Sequence, residues 1–170
     1  RTIACGTQAG KIQLWKVEDG AGVGELGGHE GEVCSLAYAP DGRSLASGGG
    51  DGTARIWDLA GKAETWRSTG LQGEVLSLAF SPGGDRLAWG GDNEVIHVLD
   101  TAKRQEVPAL PGHFGWIRCA LFSPAGTLVA SIVPPWATTM LCTTERPSPV
   151  PSPSSRVVQN GSQMRGRSWA

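Results

Sequence analysis

Apolar and polar residues alternate in short runs along most of this chain, and no stretch carries the three-to-four spacing of a helix face. The clearest copy of the pattern is residues 27–68. There, residues 33–39 read as a first strand, 43–48 as a second, 53–59 as a third and 63–67 as a weaker fourth. Pro40-Asp41-Gly42 closes the first turn, because Pro presets one backbone angle and Gly accepts positive φ. Asp51-Gly52 signals the next hairpin, and Gly61 leads into the fourth strand. The pattern predicts a four-stranded antiparallel unit.

That unit recurs at an interval of 42 residues without insertion or deletion. His29 maps to Leu71 and His113, Val33 to Val75 and Ile117, and Pro40 to Pro82 and Pro124. Ala4, Ala46, Ala88 and Ala130 share one position, as do Trp15, Trp57 and Leu99. The second copy predicts strands at 75–80, 86–90, 94–99 and 104–109. Residues 2–6, 11–17 and a weak 24–26 supply the later strands of an earlier copy, while 117–122 and 128–132 begin a further one. Cys5 lies on the position of Ser47, which predicts a packed strand site. A period near 40 to 45 residues is the signature of one supersecondary unit stacked on its neighbours.

The register fails after Val133, where Pro134, Pro135 and Trp136 replace the expected turn. Only residues 138–142 keep strand character, and the segment from Pro147 to Ser155 is rich in Pro and Ser. Such a composition buries too little apolar surface to offset the entropy of ordering, so 133–170 is read as a divergent, disordered tail. Without an initiating Met or an apolar leader, the chain reads as an internal piece of a longer protein.

Gly28-His29, the run S-L-A-Y-A-P-D-G from Ser35 to Gly42, L-A-S-G from Leu45 to Gly48, and D-G-T-A-R-I-W-D from Asp51 to Asp58 together resemble the WD-repeat family. The resemblance covers residues 2–132 and implies an all-β fold: a partial β-propeller, an open array of four-stranded blades. Its divisions are an incomplete blade over 1–26, complete blades over 27–68 and 69–110, and an incomplete blade over 111–132. It also implies a structural tetrad at His29, Ser47, Asp51 and Trp57, a set whose donors and acceptors satisfy one another when buried. The next copy has Leu71, Trp89, Asn93 and Leu99 at those positions; removing every partner together leaves no orphan, so that blade is expected to form on apolar packing. The last copy keeps His113 and Ser131 but meets Pro135 and Leu141, which makes it the doubtful blade.

By the same resemblance, the function is a protein-interaction scaffold whose partners are other proteins, including the missing blades of its parent. The loops leading into the first strands share one face of a propeller. The repeat aligns Glu30, Gln72 and Phe114 there, and again Glu32, Glu74 and Trp116. These six are the candidate partner contacts, with Phe114 and Trp116 as aromatic anchors. Two alternatives stand beside it: the sensor or autoinhibitory propeller of a signalling NTPase, and a ubiquitin-ligase substrate adaptor. The adaptor is disfavoured because Trp57-Asp58-Leu59 is followed by Ala60 where W-D-x-R needs Arg.

Composition narrows this further. A net charge of -1 with no recurring basic stripe argues against nucleic acid, and no apolar run reaches the length of a membrane span. Four cysteines without C-x-x-C spacing read as free thiols, giving no zinc site and a reducing compartment, the cytoplasm or alternatively the nucleus. Gly22 to Gly27 fits G-x-G-x-x-G but opens no helix, so no dinucleotide cofactor is expected. His29-Glu30 starts like a zinc-protease motif, yet Val33 stands where its second His belongs. No catalytic residue, cofactor or metal is assigned, and the chain is read as not an enzyme.

Overall fold

The computed structural model describes residues 1–110 and 115–132. The described residues form thirteen strands and no helix: β1 (Thr2–Gly6), β2 (Lys11–Lys16), β3 (Gly22–Gly27), β4 (Val33–Tyr38), β5 (Ser44–Gly49), β6 (Ala54–Asp58), β7 (Ala63–Arg67), β8 (Val75–Phe80), β9 (Arg86–Gly91), β10 (Ile96–Asp100), β11 (Gln105–Leu110), β12 (Ile117–Phe122) and β13 (Leu128–Ile132). They make four antiparallel sheets in sequence order: β1-β2-β3, β4-β5-β6-β7, β8-β9-β10-β11 and β12-β13. The fold is all-β. The tail expectation for 133–170, together with His113 and Phe114, lies outside the described residues.

The turns repeat with the strands. Gly42, Gly84 and Gly126 hold φ of 67°, 74° and 81° at the first hairpin, a region closed to most side chains. The residue just before the fourth strand, Lys62, takes φ 52°, and the Gly61 N–H donates to Asp58 Oδ2 at 2.6 Å. Two expected strand starts move by two residues. The strand expected at 94–99 begins only at Ile96, because Glu94 sits in the turn at φ 60°. The glycine-rich stretch 22–27 is itself strand β3, longer than the expected 24–26.

Each pair of neighbouring sheets encloses its own apolar cluster. Ile12, Leu14 and Leu26 of the first sheet meet Leu45 and Trp57 of the second. Ala46 and Ala54 meet Val75, Leu78, Leu87, Trp89 and Leu99, and Ala88, Ile96 and Val98 meet Ile117. Backbone-to-serine hydrogen bonds tie the first strands together across these layers: Leu78 N–H donates to Ser35 Oγ at 3.2 Å, and Ala120 N–H to Ser77 Oγ at 2.9 Å. Ser35 and Ser77 are one repeat apart, so the same hook is used twice.

The first sheet departs from the packed site expected at Cys5, which is exposed although Ser47 is fully buried. The cause is its position. Cys5 belongs to the sheet face that no other described sheet covers, together with Ile3 at 50% and Trp15 at 39% exposure. In the second sheet the same positions, Leu45 and Trp57, are 0% and 2% exposed.

Candidate functional site

The second sheet assembles a buried polar chain from the loop before β4, the middle of β5, the turn after it and β6. His29 Nδ1 donates to Asp51 at 3.0 and 3.1 Å, and its Nε2 accepts the Ser47 hydroxyl proton at 2.7 Å. Ser47 Oγ in turn accepts Trp57 Nε1–H at 2.8 Å. With that polarity each atom has one role and none conflicts. Burial pushes the His29 pKa below its ordinary value, which holds the ring neutral as the chain of bonds requires.

Three members were not legible beforehand. Thr53 Oγ1 donates to Asp51 Oδ1 at 2.8 Å, and Arg55, only 2% exposed, reaches Asp51 Oδ2 at 2.8 Å and Glu64 Oε2 at 2.9 Å. Burial opposes ionisation of Asp51, but hydrogen bonds from Thr53, the Glu30 N–H and His29 outweigh it and hold this carboxyl well below the usual range. The same opposition, won by hydrogen bonds from Arg67 and Arg55, lowers the pKa of Glu64. Arg55 is thus a buried charge with a carboxylate on either side, which is the condition under which burial is tolerated.

Asp51, His29 and Ser47 share the connectivity of a hydrolytic triad, so the alternative needs a physical answer. Ser47 is 0% exposed, and its Oγ is occupied by the Trp57 indole N–H. A nucleophile must reach an acyl carbon. This one reaches only its own tetrad.

The third sheet fills the corresponding space differently. Trp89 is fully buried, stacked on His97 with centroids 5.5 Å apart and edge-on to Trp66 at 5.6 Å. Leu71 and Leu99 pack into the same cluster, and Asn93 Nδ2 faces His97 Nε2 at 3.3 Å. The expectation that wholesale replacement leaves no orphan is corrected here. Trp89 Nε1 and Asp92 Oδ1 are buried without a partner among the described residues: the indole brings its own donor to a position where Ser47 of the preceding repeat has a hydroxyl.

Above these cores lie the loops leading into the first strands. Glu30, Glu32, Gln72, Glu74 and Trp116 are exposed there, Trp116 at 48%. Glu32 and Glu74, one repeat apart, converge on Cys34, with one donor atom of each of the three within 4.8 Å of the others. Burial and then these two carboxylates push the Cys34 thiol up, so it stays protonated and makes a poor metal ligand. Arg118 lies over the Trp116 ring at 5.0 Å, a cation–π contact that props the indole beside the first strand. Glu30 is fixed through its backbone, whose N–H donates to Asp51 at 3.0 Å.

A family model described as WD domain, G-beta repeat, matches residues 20–58 and 104–131. Both matches begin near the outer strand of one sheet, β3 or β11, and run into the next. The stretch between them carries the sheet whose tetrad is replaced. No curated protein matches the chain.

Proposed function

From the premise that this chain is a WD-repeat protein, we propose that it is a non-catalytic platform for protein partners. Its contact surface is the face formed by Glu30, Glu32, Gln72, Glu74 and Trp116. One observation carries this reading: Glu32 and Glu74 project from equivalent loops of adjacent sheets and bring two exposed carboxylates together around Cys34. A rigid sheet pair holding like charges side by side favours a partner that neutralises both. A Lys- or Arg-bearing segment does so, and Trp116 supplies an aromatic surface along its edge. Scaffolding is also the usual role of this repeat, and the sealed environment of Ser47 supports a structural rather than hydrolytic role for the tetrad.

The test replaces Glu32 and Glu74 by Lys together, and Trp116 by Ala separately, then follows cross-linked partners and thermal melting. Partner loss with unchanged melting supports the face as an interface. Full partner recovery with both variants would remove it.

A further inference from the structure

Neighbouring sheets are strapped together by a basic residue that recurs with the repeat. Lys62 and Arg104 stand one repeat apart, and both take the left-handed conformation, at φ 52° and 54°, in the turn before an outer strand. Each reaches back to the outer strand of the preceding sheet. Lys62 Nζ donates to Val23 O at 2.7 Å, and Arg104 Nη1 donates to Thr65 O. Val23 and Thr65 are themselves one repeat apart, and both fall where an outer strand loses step with its neighbour. Val23 lies between the pairs Leu14–Gly24 and Trp15–Gly22, and Thr65 between Ile56–Trp66 and Trp57–Glu64. Each is the extra residue of a β-bulge, unpaired in its own ladder, and its carbonyl takes a donor from the next sheet.

The two straps differ in what lies beside them. Lys62 lies down over Gly24, where a Cβ would come within 2.5 Å of its Nζ and 3.1 Å of its Cε. The equivalent of Gly24 is Trp66, whose indole stands between the second and third sheets, edge-on to Trp89 at 5.6 Å. That ring leaves Arg104 no room to lie flat, and a groove of about 230 Å³ stays open beside the guanidinium. Ile56, Trp66 and Phe80 line it, each partly buried and packed against the core cluster of these two sheets. At the inner end the first hairpins meet, Pro40 Cδ lying 3.4 Å from where a Cβ on Gly84 would stand. From that hairpin to β7 the groove crosses two strand spacings of roughly 4.8 Å, the length of about three extended residues.

Size and charge select the occupant. Pockets for cofactors and drug-sized ligands run to roughly 300 to 1,000 Å³, so this smaller groove suits one large side chain on an extended backbone. Arg104 spends one nitrogen on Thr65 O, and its neighbour Lys103 is the one paired with Asp100, at 3.4 Å. The rest of the guanidinium fork is left for a carboxylate, whose planar geometry it matches. Asp41 lines the hairpin end, where its charge repels an acid, so the carboxylate belongs at the outer end.

We propose that this groove is a second docking site, for an extended segment of a protein partner in which a large apolar side chain stands next to a carboxylate. The side chain rests on Ile56, Trp66 and Phe80, and the carboxylate pairs with Arg104. Glu32 and Glu74 precede β4 and β8, whereas the groove lies past the other ends of these strands. The two faces therefore select segments of opposite charge, and neither depends on the other.

The probe is a phage-displayed library of randomised heptapeptides, selected on the full chain with Glu32→Gln and Glu74→Gln so that the acidic face is silent. Enriched peptides should carry Phe, Leu or Trp within two residues of Asp or Glu. A synthetic peptide of that set should bind the unmodified chain equally well, and Arg104→Glu not measurably. Arg104→Lys keeps a strap donor of the kind Lys62 supplies but loses the fork, and should weaken binding about tenfold without lowering the melting temperature. Ser44→Tyr, filling the groove from a half-buried wall position, should abolish binding while the β-type circular dichroism is kept. No enrichment over background, enriched peptides without a carboxylate, or equal affinity for the unmodified chain and Arg104→Lys would each overturn the proposal.

Discussion

The second and third sheets share one repeat and one hairpin register, yet one is held by a hydrogen-bonded ionic core and the other by stacked rings and leucines. The difference separates geometry from cohesion. Alternation and turns set the blade, while the residues at positions 29, 47, 51 and 57 decide how its interior is satisfied. The polar version gains order but becomes interdependent, since each member is buried on the strength of the others. The apolar version tolerates loss better and keeps two orphans.

The largest expected break in this comparison is Asp51→Ala. It removes the acceptor for His29, Thr53, the Glu30 N–H and Arg55, and leaves a nearly buried guanidinium with Glu64 as its remaining carboxylate. Uncovering a buried charge in this way costs about 3 to 5 kcal/mol, whereas Asn93→Ala in the third sheet should cost well under half of that. Urea denaturation of both variants measures the gap. The folded pKa of Asp51 is depressed, so its contribution is complete above the unfolded carboxylate value of about 3.9 and fades as pH falls toward the folded value. Asp51→Ala should therefore flatten the acid limb of the stability profile. Equal costs for Asp51→Ala and Asn93→Ala would mean the network adds nothing.

A sharper comparison uses one substitution in both sheets. Trp57→Phe withdraws the indole donor from Ser47, whereas Trp89→Phe deletes a donor that has no acceptor. Both lose similar volume. The first should cost about 2 kcal/mol, and the second should fall within about 1 kcal/mol of neutral because relief of the orphan offsets the smaller ring. If Trp89→Phe proves the costlier, the Trp89 N–H has a partner and the two interiors are less different than their bonds imply.

Much of this was legible in the sequence, and the remainder shares a physical cause. Strands and hairpins follow from alternation and turn residues, which act locally, and the repeat itself places His29, Ser47, Asp51 and Trp57 in equivalent positions. Arg55 was missed because a lone Arg in a strand reads as solvated; its burial depends on Glu64, which arrives from the next strand. Cys5 was misread because its position in the repeat is a packed one, but packing depends on what covers the sheet from outside. In β12-β13, Leu121 lies opposite Val129, whereas the repeat of Ala37 opposite Ala46 sets it opposite Ala130, and this one-residue slip is hidden for the opposite reason. The residue count between Ser123 and Thr127 obeys the repeat, and only the pairing shows that the turn has tightened.

The smallest contrast lies in the turns beneath the two interiors. Gly52 takes φ 74° in the second sheet, and Glu94 takes φ 60° at the same repeat position in the third. A side chain in that region costs roughly 1 kcal/mol or slightly more relative to glycine, since its Cβ crowds the following carbonyl. Glu94→Gly should therefore stabilise the chain by about 1 kcal/mol. Gly52→Ala should destabilise it by more, because a Cβ at Gly52 also runs into the Leu71 carbonyl. Denaturation midpoints of the two variants should move in opposite directions. Should Glu94→Gly lower the midpoint instead, the Glu94 side chain must make a compensating contact, and the third sheet would rest on a local interaction that the second does without.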